Sequence, residues 1–311
     1  MRSVSVVIPN YNGAGLLEKY LPPLKKALSD HVATFEIIVV DDASQDSSVE
    51  FLRQQHPDVT VIVNEANLGF GGTMNRGIHA AQGEVLFSLN SDVLVDSDIF
   101  GAVLPRFSDP GLFAVTPNII DPRSGYNQAV YRLKPGVCWY TDTCLQAVPA
   151  EKEVPLFFAC AGACFYDRAK LLELGGFDPL FSPFYVEDVD LSYQAWKRGW
   201  RCVLEPSATV YHFSNSTIEQ YHRKRKIKFL TARNKTYFMW LNITDCYLVW
   251  RYWLCFMPSL LWDIVSFRKY KFVGTFMALP RFFEIMGKRS VRRRHARTCD
   301  RDIINLVSYR Q

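Results

Sequence analysis

The chain has 311 residues, of which 49% are hydrophobic and 22% are charged, and its formal net charge is +5. This balance is typical of a folded globular protein and excludes a disordered chain. The charge is unevenly distributed, because residues 1–222 carry 16 Lys and Arg against 26 Asp and Glu, whereas residues 223–311 carry 20 against 5. A basic C-terminal part favours contact with an anionic surface, either a membrane or a nucleic acid.

The first residues and the cysteines indicate the compartment. Residues 1–8 lead directly into a strand pattern, without a long apolar core or a small-residue cleavage site, so we expect no secretory signal peptide. The eight cysteines form no CxxC pair. We therefore expect reduced thiols in a cytosolic protein.

Four short apolar runs predict buried parallel strands in the first hundred residues. They are Val4–Ile8, Glu36–Val40, Val59–Val63 and Glu84–Leu89. Leucines recur at helical spacing between the first two runs. The resulting βαβαβαβ order predicts a doubly wound α/β sheet of the nucleotide-binding type.

The periodicity weakens between Asp109 and Pro155, where turn residues predict irregular loops with edge strands. Regular patterns then return. They predict a strand at Leu156–Tyr166, helices at Arg168–Leu174 and Val189–Gly199, and strands at Cys202–Leu204 and Thr209–Tyr211, with His212 directly after the last strand.

The region after residue 222 is rich in aromatic and basic residues. Its longest uncharged aromatic run, Tyr252–Trp262, is too short for a spanning helix, which needs about 20 apolar residues. We therefore expect helices that lie in a membrane interface, with Arg223–Lys226 and Arg292–Arg294 contacting lipid headgroups. This predicts a catalytic domain at 1–222 and a membrane-interface extension at 223–311.

Carboxylates follow two of the predicted strands. Asp41 and Asp42 end one strand, and Asn90-Ser91-Asp92 ends another. Ligands of open α/β sheets bind beyond the carboxyl ends of the strands, so these acids are expected to share one cleft. Asp41 and Asp42 could contact a base or ribose, or could only cap the next turn. The oxygens of Asn90-Ser91-Asp92 suit Mg²⁺ or Mn²⁺, and His212 could add a nitrogen ligand or be purely structural.

Three glycines, at 69, 71 and 72, precede a helical run that continues to Gly77. Their backbone N–H groups could approach a phosphate at a helix N-terminus, although a simple tight turn explains them equally well. The segment is not a dinucleotide fingerprint, because Met74 occupies the place of the third glycine.

Three acids within four positions, Glu187, Asp188 and Asp190, precede the predicted helix. Acids at a helix N-terminus are stabilised by its dipole, so capping is one interpretation. A carboxylate shielded by the neighbouring Phe184 and Tyr185 could instead act as a general base, and Asp188 is our candidate.

Together these motifs resemble glycosyltransferase family 2 over roughly residues 3–215. The matching segments are Val6–Asn12, Val40–Ser44, Asn90–Asp92, Gly175–Asp178 and Glu187–Leu191, in the family's order. The resemblance implies a glycosyltransferase-A fold, which is a Rossmann-like, mostly parallel sheet flanked by helices. It also implies a nucleoside-diphosphate sugar donor, a divalent cation (Mg²⁺ or Mn²⁺) and inversion at the anomeric carbon.

The resemblance also implies roles for single residues. Asp188 would deprotonate the acceptor hydroxyl, while Asp92 and His212 would bind the metal. The donor side would be formed by Pro9, Tyr11, Asp42, Asn67, Gly71, Asn75, Arg76 and Ser91. The acceptor side would be formed by Phe177, Asp178 and Glu187.

One position departs from the family pattern. Asn90 replaces the first Asp of the DxD metal motif, which puts direct metal ligation there in doubt. Members that resemble rhamnosyltransferases often have Asn at this position, and Asn67–Gly71 is also similar to that branch.

The expected function is therefore transfer of a sugar to a glycan or lipid-linked glycan acceptor in cell-surface polysaccharide synthesis, by a peripheral enzyme on the cytoplasmic face of the plasma membrane. Two alternatives stay open: an inactive sugar-nucleotide-binding protein on the same fold, and a nucleotide-dependent oxidoreductase. For the basic region, dense aromatic and aliphatic residues favour an anionic membrane over a nucleic acid.

Overall fold

A computed structural model of the protein describes residues 2–134, 143–145, 154–213, 224–265 and 270–308. Its strands are β1 (Val4–Asn10), β2 (Phe35–Asp41), β3 (Thr60–Val63), β4 (Val85–Leu89), β5 (Val93–Val95), β6 (Leu112–Ile120), β7 (Tyr131–Leu133), β8 (Thr143–Leu145), β9 (Val154–Pro155), β10 (Ala163–Asp167) and β11 (Arg201–His212). Its α-helices are α1 (Ala14–His31), α2 (Ser48–Gln55), α3 (Gly69–Ala80), α4 (Ile99–Val103), α5 (Arg168–Leu174), α6 (Glu187–Lys197), α7 (Lys224–Asn242), α8 (Cys246–Val265), α9 (Tyr270–Ala278), α10 (Phe282–Arg294) and α11 (Asp300–Val307).

One mixed sheet organises the chain. Within the described residues it has nine strands in the order β3-β2-β1-β4-β10-β6-β11-β5, with β9 beside β11. Six of these nine strands run in the same direction, and β5, β9 and β10 run against them. The prediction of a mostly parallel α/β sheet is thus confirmed.

The sheet is buried on both faces, which explains the continuous apolar runs of its first strands. Val7 and Val40 point into one hydrophobic cluster together with Met74 of α3. Val6 and Val39 point into a second cluster on the opposite face, which also contains leucines of α1. Successive side chains of a strand alternate between faces, so each run stabilises both layers.

The region between Asp109 and Pro155 was expected to be irregular, and this prediction is wrong for its first part. β6 is a nine-residue strand inside the sheet, between β10 and β11. Pro117 interrupts its apolar run, and the pairing register with β11 shifts between Glu205 and Thr209, next to this proline. Because proline cannot donate to a strand ladder, the bulge on the neighbouring strand accommodates it. The sequence pattern does not reveal this local adjustment.

Two other boundaries also differ from the prediction. The strand expected at Leu156–Tyr166 is only β10, Ala163–Asp167, because the residues before it form a loop. The two strands expected at Cys202–Leu204 and Thr209–Tyr211 are one continuous strand, β11.

The helices after residue 224 pack directly onto the sheet-forming part of the chain. Phe238 of α7 makes edge contacts with Phe157 and with Tyr193 of α6, at ring-centroid distances of 6.5 and 5.2 Å. Trp240 and Ile303 belong to the same hydrophobic cluster as Val7 of β1. The two predicted parts of the chain therefore share one core. Among the described helices, none combines the length and apolar character that crossing a membrane requires.

Arg292 of α10 is not a headgroup contact, contrary to the expectation for the 292–294 cluster. Its guanidinium points inward and forms ion pairs with Asp178 at 2.8 Å and with Asp190 at 2.6 Å. Asn242 of α7 completes this network, since its amide donates to Asp190 and its oxygen accepts from Arg292. Arg293 and Arg294 remain exposed.

Replacing Arg292 with Ala is expected to lower the free energy of unfolding by about 3–5 kcal/mol, because it leaves the buried Asp190 carboxylate without its cation, whereas Asp178 keeps its ion pair with Lys288. Urea unfolding followed by circular dichroism measures this change. The matched control is Arg294→Ala, an exposed arginine on the same helix, which should change stability by no more than about 0.5 kcal/mol. Equal unfolding midpoints for the two variants would contradict the prediction.

Candidate active site

The carboxyl ends of β1 and β2 are joined side by side. Asn10 lies opposite Asp41 in the parallel pairing, and its Nδ2 donates a hydrogen bond of 2.8 Å to Asp41 Oδ1. Asp41 Oδ2 accepts from the backbone N–H of Ser44 at 2.9 Å. Asp41 therefore shapes the loop after β2. The Oδ1 of Asn10 is buried without a hydrogen-bond partner, and a Cβ added to Gly13 would lie 2.3 Å from it. A side chain at position 13 would collide with Asn10, so only glycine keeps the space beside Asn10 Oδ1 open.

Asp42 is held by the loop that precedes α3. Its Oδ1 accepts hydrogen bonds of 2.8 Å from Asn64 Nδ2 and from the Leu68 N–H, and its Oδ2 accepts one of 3.0 Å from the Gly69 N–H. The anion at the start of α3 is thus the Asp42 carboxylate, which is favourable at a helix N-terminus. Of the two roles considered for Asp42, capping is visible in the structure. Base recognition stays a prediction.

The remaining donor-side candidates are distributed along the same edge. Asn75 exchanges two hydrogen bonds with the backbone of Phe177, at 2.7 and 2.8 Å, and thereby ties α3 to the predicted acceptor-side turn. Arg76 donates to Asn64 Oδ1 at 2.7 Å. The others occupy half-buried or exposed positions near this edge, in β1, in α3 and in the loops: Pro9, Tyr11, Asn67, Gly71 and Ser91.

The two predicted metal ligands are brought together by the antiparallel pairing of β5 and β11. His212 Nε2 lies 3.3 Å from Asp92 Oδ1, and His212 Nδ1 lies 2.8 Å from Gln128 Oε1. When Nδ1 donates its hydrogen to Gln128, the Nε2 lone pair faces a carboxylate oxygen. Such a contact is favourable only with a cation or a proton between the two atoms. The pair therefore fits a divalent cation, with Gln128 orienting the ring as an outer-shell partner does. Among the residues that the structure describes, no group of three or more His, Cys, Asp or Glu is arranged so that it could hold a metal ion.

The loop before β10 connects the metal motif with the candidate base. Asn90 donates its backbone N–H to the carbonyl oxygen of Gly162 at 2.8 Å. The backbone N–H of the preceding residue, Ala161, donates to the carboxylate of Asp188. Asp188, at the start of α6, is thus connected to Asn90-Ser91-Asp92 through the backbone of Ala161 and Gly162. The structure brings these predicted residues to one site.

The acids at the start of α6 have raised pKa values. Burial, together with the charge of Asp188, raises the pKa of Glu187 to about 8. Burial raises the pKa of Asp188 to about 6, although the N–H groups of Val189 and Ala161 favour its ionised form. Near pH 7 one proton is therefore expected to stay on Glu187 while Asp188 is ionised. A general base works best when its pKa lies close to the working pH.

The chain reaches α6 through an unusual backbone conformation. Tyr185 and Val186 both have positive φ, 69° and 78°, which is rare for a β-branched residue such as Val186. Asn234 of α7 holds this turn, because its Nδ2 lies within 2.7–3.0 Å of the carbonyl oxygens of Phe181, Phe184 and Tyr185. Strained backbone that is held by its surroundings is frequent at functional sites.

Among the acceptor-side candidates, Phe177 is buried and Asp178 is fully engaged. Asp178 accepts the backbone N–H of Leu180 and forms ion pairs with Lys288 and Arg292. These cations and hydrogen bonds lower the pKa of Asp178 against the effect of its burial. In the structure Asp178 joins α10 to the turn before α6. A contact with the acceptor stays a prediction for this residue.

Several site residues were not found from the sequence. Asn234 and Gln128 lie in no recognisable motif, and their importance follows only from contacts across more than 40 positions of sequence. Asn10 could have been found, because it stands inside the Val6–Asn12 segment at a strand end.

The fold is of the glycosyltransferase-A type, and comparisons with solved structures agree. The solved structure of GalNAc-T7 with UDP, GalNAc and Mn²⁺ superposes with a TM-score of 0.61 at 20% identity, over 78% of this chain. The chain spans about half of that structure, 48%. The mannosyltransferase PcManGT from Pyrobaculum calidifontis, in complex with GDP-Man and Mn²⁺, superposes with a TM-score of 0.56 at 17% identity, over 94% of this chain and 84% of its own.

The sequence itself decides the family. Residues 5–175 match the profile of "Glycosyl transferase family 2", so the chain belongs to this family and is a glycosyltransferase. It is 29% identical over 237 residues to the N-acetylglucosaminyl-diphospho-decaprenol L-rhamnosyltransferase of Mycobacterium tuberculosis, covering 67% of this chain and 75% of the relative. It is 25% identical over 254 residues to the succinoglycan biosynthesis protein ExoO of Rhizobium meliloti, covering 75% and 67%.

The raised pKa of Glu187 predicts a specific pH dependence of stability. A carboxyl group whose folded pKa exceeds its unfolded value favours folding when protonated, so this contribution is present at acid pH and is lost as the pH rises toward about 8. The side chain in Glu187→Gln cannot ionise, so this variant does not lose stability through position 187 as the pH rises. The variant should become more stable than the wild type between pH 5 and 8, by on the order of 1 kcal/mol per pH unit. Urea unfolding at several pH values measures this gain, and the exposed Glu18→Gln should show none.

Proposed function

We propose that this family 2 glycosyltransferase moves a sugar, with inversion, from a nucleoside-diphosphate donor to a hydroxyl of a lipid-linked glycan in cell-surface polysaccharide synthesis. The observation that carries the proposal is the contact between the Asp188 carboxylate and the loop that binds Asn90, because it joins a base of pKa about 6 to the predicted metal motif. The family assignment argues against the oxidoreductase alternative. The measurements below on Asp188→Asn and Asp92→Asn test the other alternative, an inactive binding protein on the same fold.

In the proposed reaction, the oxygen of the acceptor hydroxyl bonds to the anomeric carbon of the sugar, while the bond from that carbon to the diphosphate breaks on the opposite face. Asp188 takes the hydroxyl proton, and the nucleoside diphosphate leaves with the electron pair of the broken bond. Glu187 keeps its proton near neutral pH and so does not add a second negative charge beside the base. The pair Asp92 and His212 would hold Mg²⁺ or Mn²⁺, which supplies positive charge to the departing diphosphate when bound. Among the comparison structures, Mn²⁺ is bound together with UDP in GalNAc-T7 and with GDP-Man in PcManGT.

A lipid-linked acceptor is supported by the similarity to the decaprenol-dependent rhamnosyltransferase and by the surface of the C-terminal helices. Large apolar side chains on α8 recur at helical spacing and face solvent, including Trp250 at 62% exposure, Leu254 and Trp262. Phe283 at the start of α10 is 86% exposed. Contiguous exposed aromatic surface of this kind marks an interaction site, and Trp beside basic residues suits a membrane interface. The proposed location is therefore the cytoplasmic face of the plasma membrane, as a peripheral protein.

Two substitutions should separate the proposed roles of the acids. Asp188→Asn keeps the shape of the side chain but removes the base, so transfer should fall by about 10²–10⁴-fold while Mn²⁺-dependent donor binding persists. Asp92→Asn should instead weaken Mn²⁺-dependent donor binding. Binding is measured by calorimetry with a panel that includes UDP-GlcNAc, GDP-mannose and nucleoside-diphosphate rhamnose, and transfer to water is measured as hydrolysis of the donor that binds.

The exposed Asp30→Asn variant serves as the control and should match the wild type in both measurements. Wild-type hydrolysis rates in Asp188→Asn would exclude Asp188 as the base. Unchanged Mn²⁺ dependence in Asp92→Asn would exclude the Asp92–His212 pair as the metal site.

Membrane binding should depend on the α8 surface. The double variant Trp250→Ser and Leu254→Ser should bind vesicles more than tenfold more weakly, since burying one large apolar side chain contributes about 1.5–3 kcal/mol. Flotation of the full chain with phosphatidylcholine vesicles, with and without phosphatidylglycerol, measures this. Leu306→Ser, on the exposed side of α11, is the control. If vesicle binding does not depend on the phosphatidylglycerol content, the result would argue against an anionic surface. If the chain binds a single-stranded oligonucleotide but not vesicles, the result would support the nucleic-acid alternative.

A further inference from the structure

A cavity of about 240 Å³ lies between α7, α8 and α10, apart from the sheet edge that carries the catalytic acids. Its walls are apolar and aromatic. They include Met239 and Trp240 from α7, Val249 and Tyr252 from α8, and Phe282 and Met286 from α10. Ligand pockets for complete small molecules usually measure about 300–1,000 Å³. A cavity of this size therefore suits a segment of a hydrocarbon chain rather than a whole cofactor.

One polar group in the cavity wall lacks the partner that its burial requires. Trp240 is only 4% exposed, and its indole Nε1–H has no hydrogen-bond partner. Buried polar groups are nearly always paired, so an orphaned N–H in a cavity wall indicates an acceptor supplied by a ligand.

Arg289 is the cation of this cavity. Its guanidinium makes one hydrogen bond, of 2.7 Å, to the carbonyl oxygen of Trp240, and it has no ion pair among the described residues. The buried acid Asp300 is already paired with Lys197 at 2.7 Å. Arginine carries five N–H donors, so four remain for an anion.

The cavity is continuous with the exposed apolar surface of α8. Trp253 lines the cavity and is also 44% exposed, and Trp250 lies one turn before it on the same helix. A chain that leaves a membrane along this surface would reach the cavity without crossing water.

We propose that this cavity binds a lipid phosphate, with the hydrocarbon chain among the apolar walls and the phosphate at Arg289 and the Trp240 N–H. Phosphate supplies both the charge that Arg289 lacks and the acceptor that the indole lacks. The inference deepens the proposed function and rests on it, because a lipid-linked acceptor joins a phosphate to a hydrocarbon chain. Arg289 lies one turn before Arg292 on α10, so the lipid site and the ion pairs that reach α6 share one helix.

The test uses dodecyl phosphate below its micelle concentration, with the full chain and no nucleotide sugar, in a calorimetric titration. Saturable one-to-one binding is expected, and it should weaken by about tenfold or more in Arg289→Gln, since hydrogen bonds to charged groups contribute about 1.5–3 kcal/mol. Trp240→Phe, which removes the indole N–H together with part of the ring system, should also weaken it. Val249→Trp should block it by filling the cavity. The exposed Arg294→Gln should bind like the wild type.

Two further probes separate the sources of the ligand chemistry. Dodecyl maltoside has the same chain without the phosphate, and inorganic phosphate has no chain; each should bind at least tenfold more weakly than dodecyl phosphate. Equal binding of inorganic phosphate would overturn the proposal in favour of a simple anion site. Equal affinity of dodecyl phosphate for the wild type, Arg289→Gln and Val249→Trp, or no saturable binding in wild type, would also overturn it. Unfolding midpoints confirm that each variant is folded. The titration contains no sugar donor, so a negative result would contradict the lipid-phosphate site without contradicting sugar transfer. A failure of sugar transfer in the donor experiments would likewise not change the result of this titration.

Discussion

The guanidinium of Arg292 is the constraint on which the arrangement of the active site depends. It lies between Asp178, in the turn before α6, and Asp190, on α6 itself. Both acids have little contact with water, and a buried carboxylate is tolerated only with a partner. The orientation of α6, and hence of Asp188 at its start, is therefore coupled to a helix more than a hundred residues away in sequence.

The same ion pairs explain how neighbouring acids can behave differently. Asp190 receives two guanidinium hydrogen bonds and two side-chain amide hydrogen bonds, whereas the hydrogen bonds described for Asp188 come from backbone N–H groups. A buried carboxylate that has no cation beside it keeps its proton to a higher pH, as Asp188 does. Only two positions thus separate Asp190, which is paired with an arginine, from Asp188, whose pKa is about 6. The turn that presents them is held in its strained conformation by Asn234.

The parts of the molecule that the sequence predicts well are those with local causes. β1, β2 and β4 are apolar runs buried on both faces, whereas β3 at the end of the sheet is partly exposed. Asp92 and His212 meet because Asp92 follows β4 and His212 ends β11 at the same edge of the sheet. The parts that it does not predict have causes elsewhere in the chain. Pro117 interrupts the apolar sequence pattern of β6, and a bulge on the neighbouring strand β11 accommodates this proline. Arg292 resembles the exposed Arg293 and Arg294 beside it in sequence, and only the packing of α10 shows that it points inward. Asn234 lies in no sequence motif, and only the folded structure shows that its side chain contacts three backbone carbonyl oxygens.

The shared core also affects the order in which this enzyme can form during synthesis. The sheet, the metal motif and Asp188 leave the ribosome before α7 and α10 exist. Until residue 292 has been added, Asp178 and Asp190 have no arginine between them, and until residue 234 has emerged the turn at 185–186 has nothing to hold it. A nascent chain should therefore be unable to assemble its catalytic helix early. If the exposed surface of α8 binds a membrane, the last helices would complete the site and carry the protein to its location in the same step.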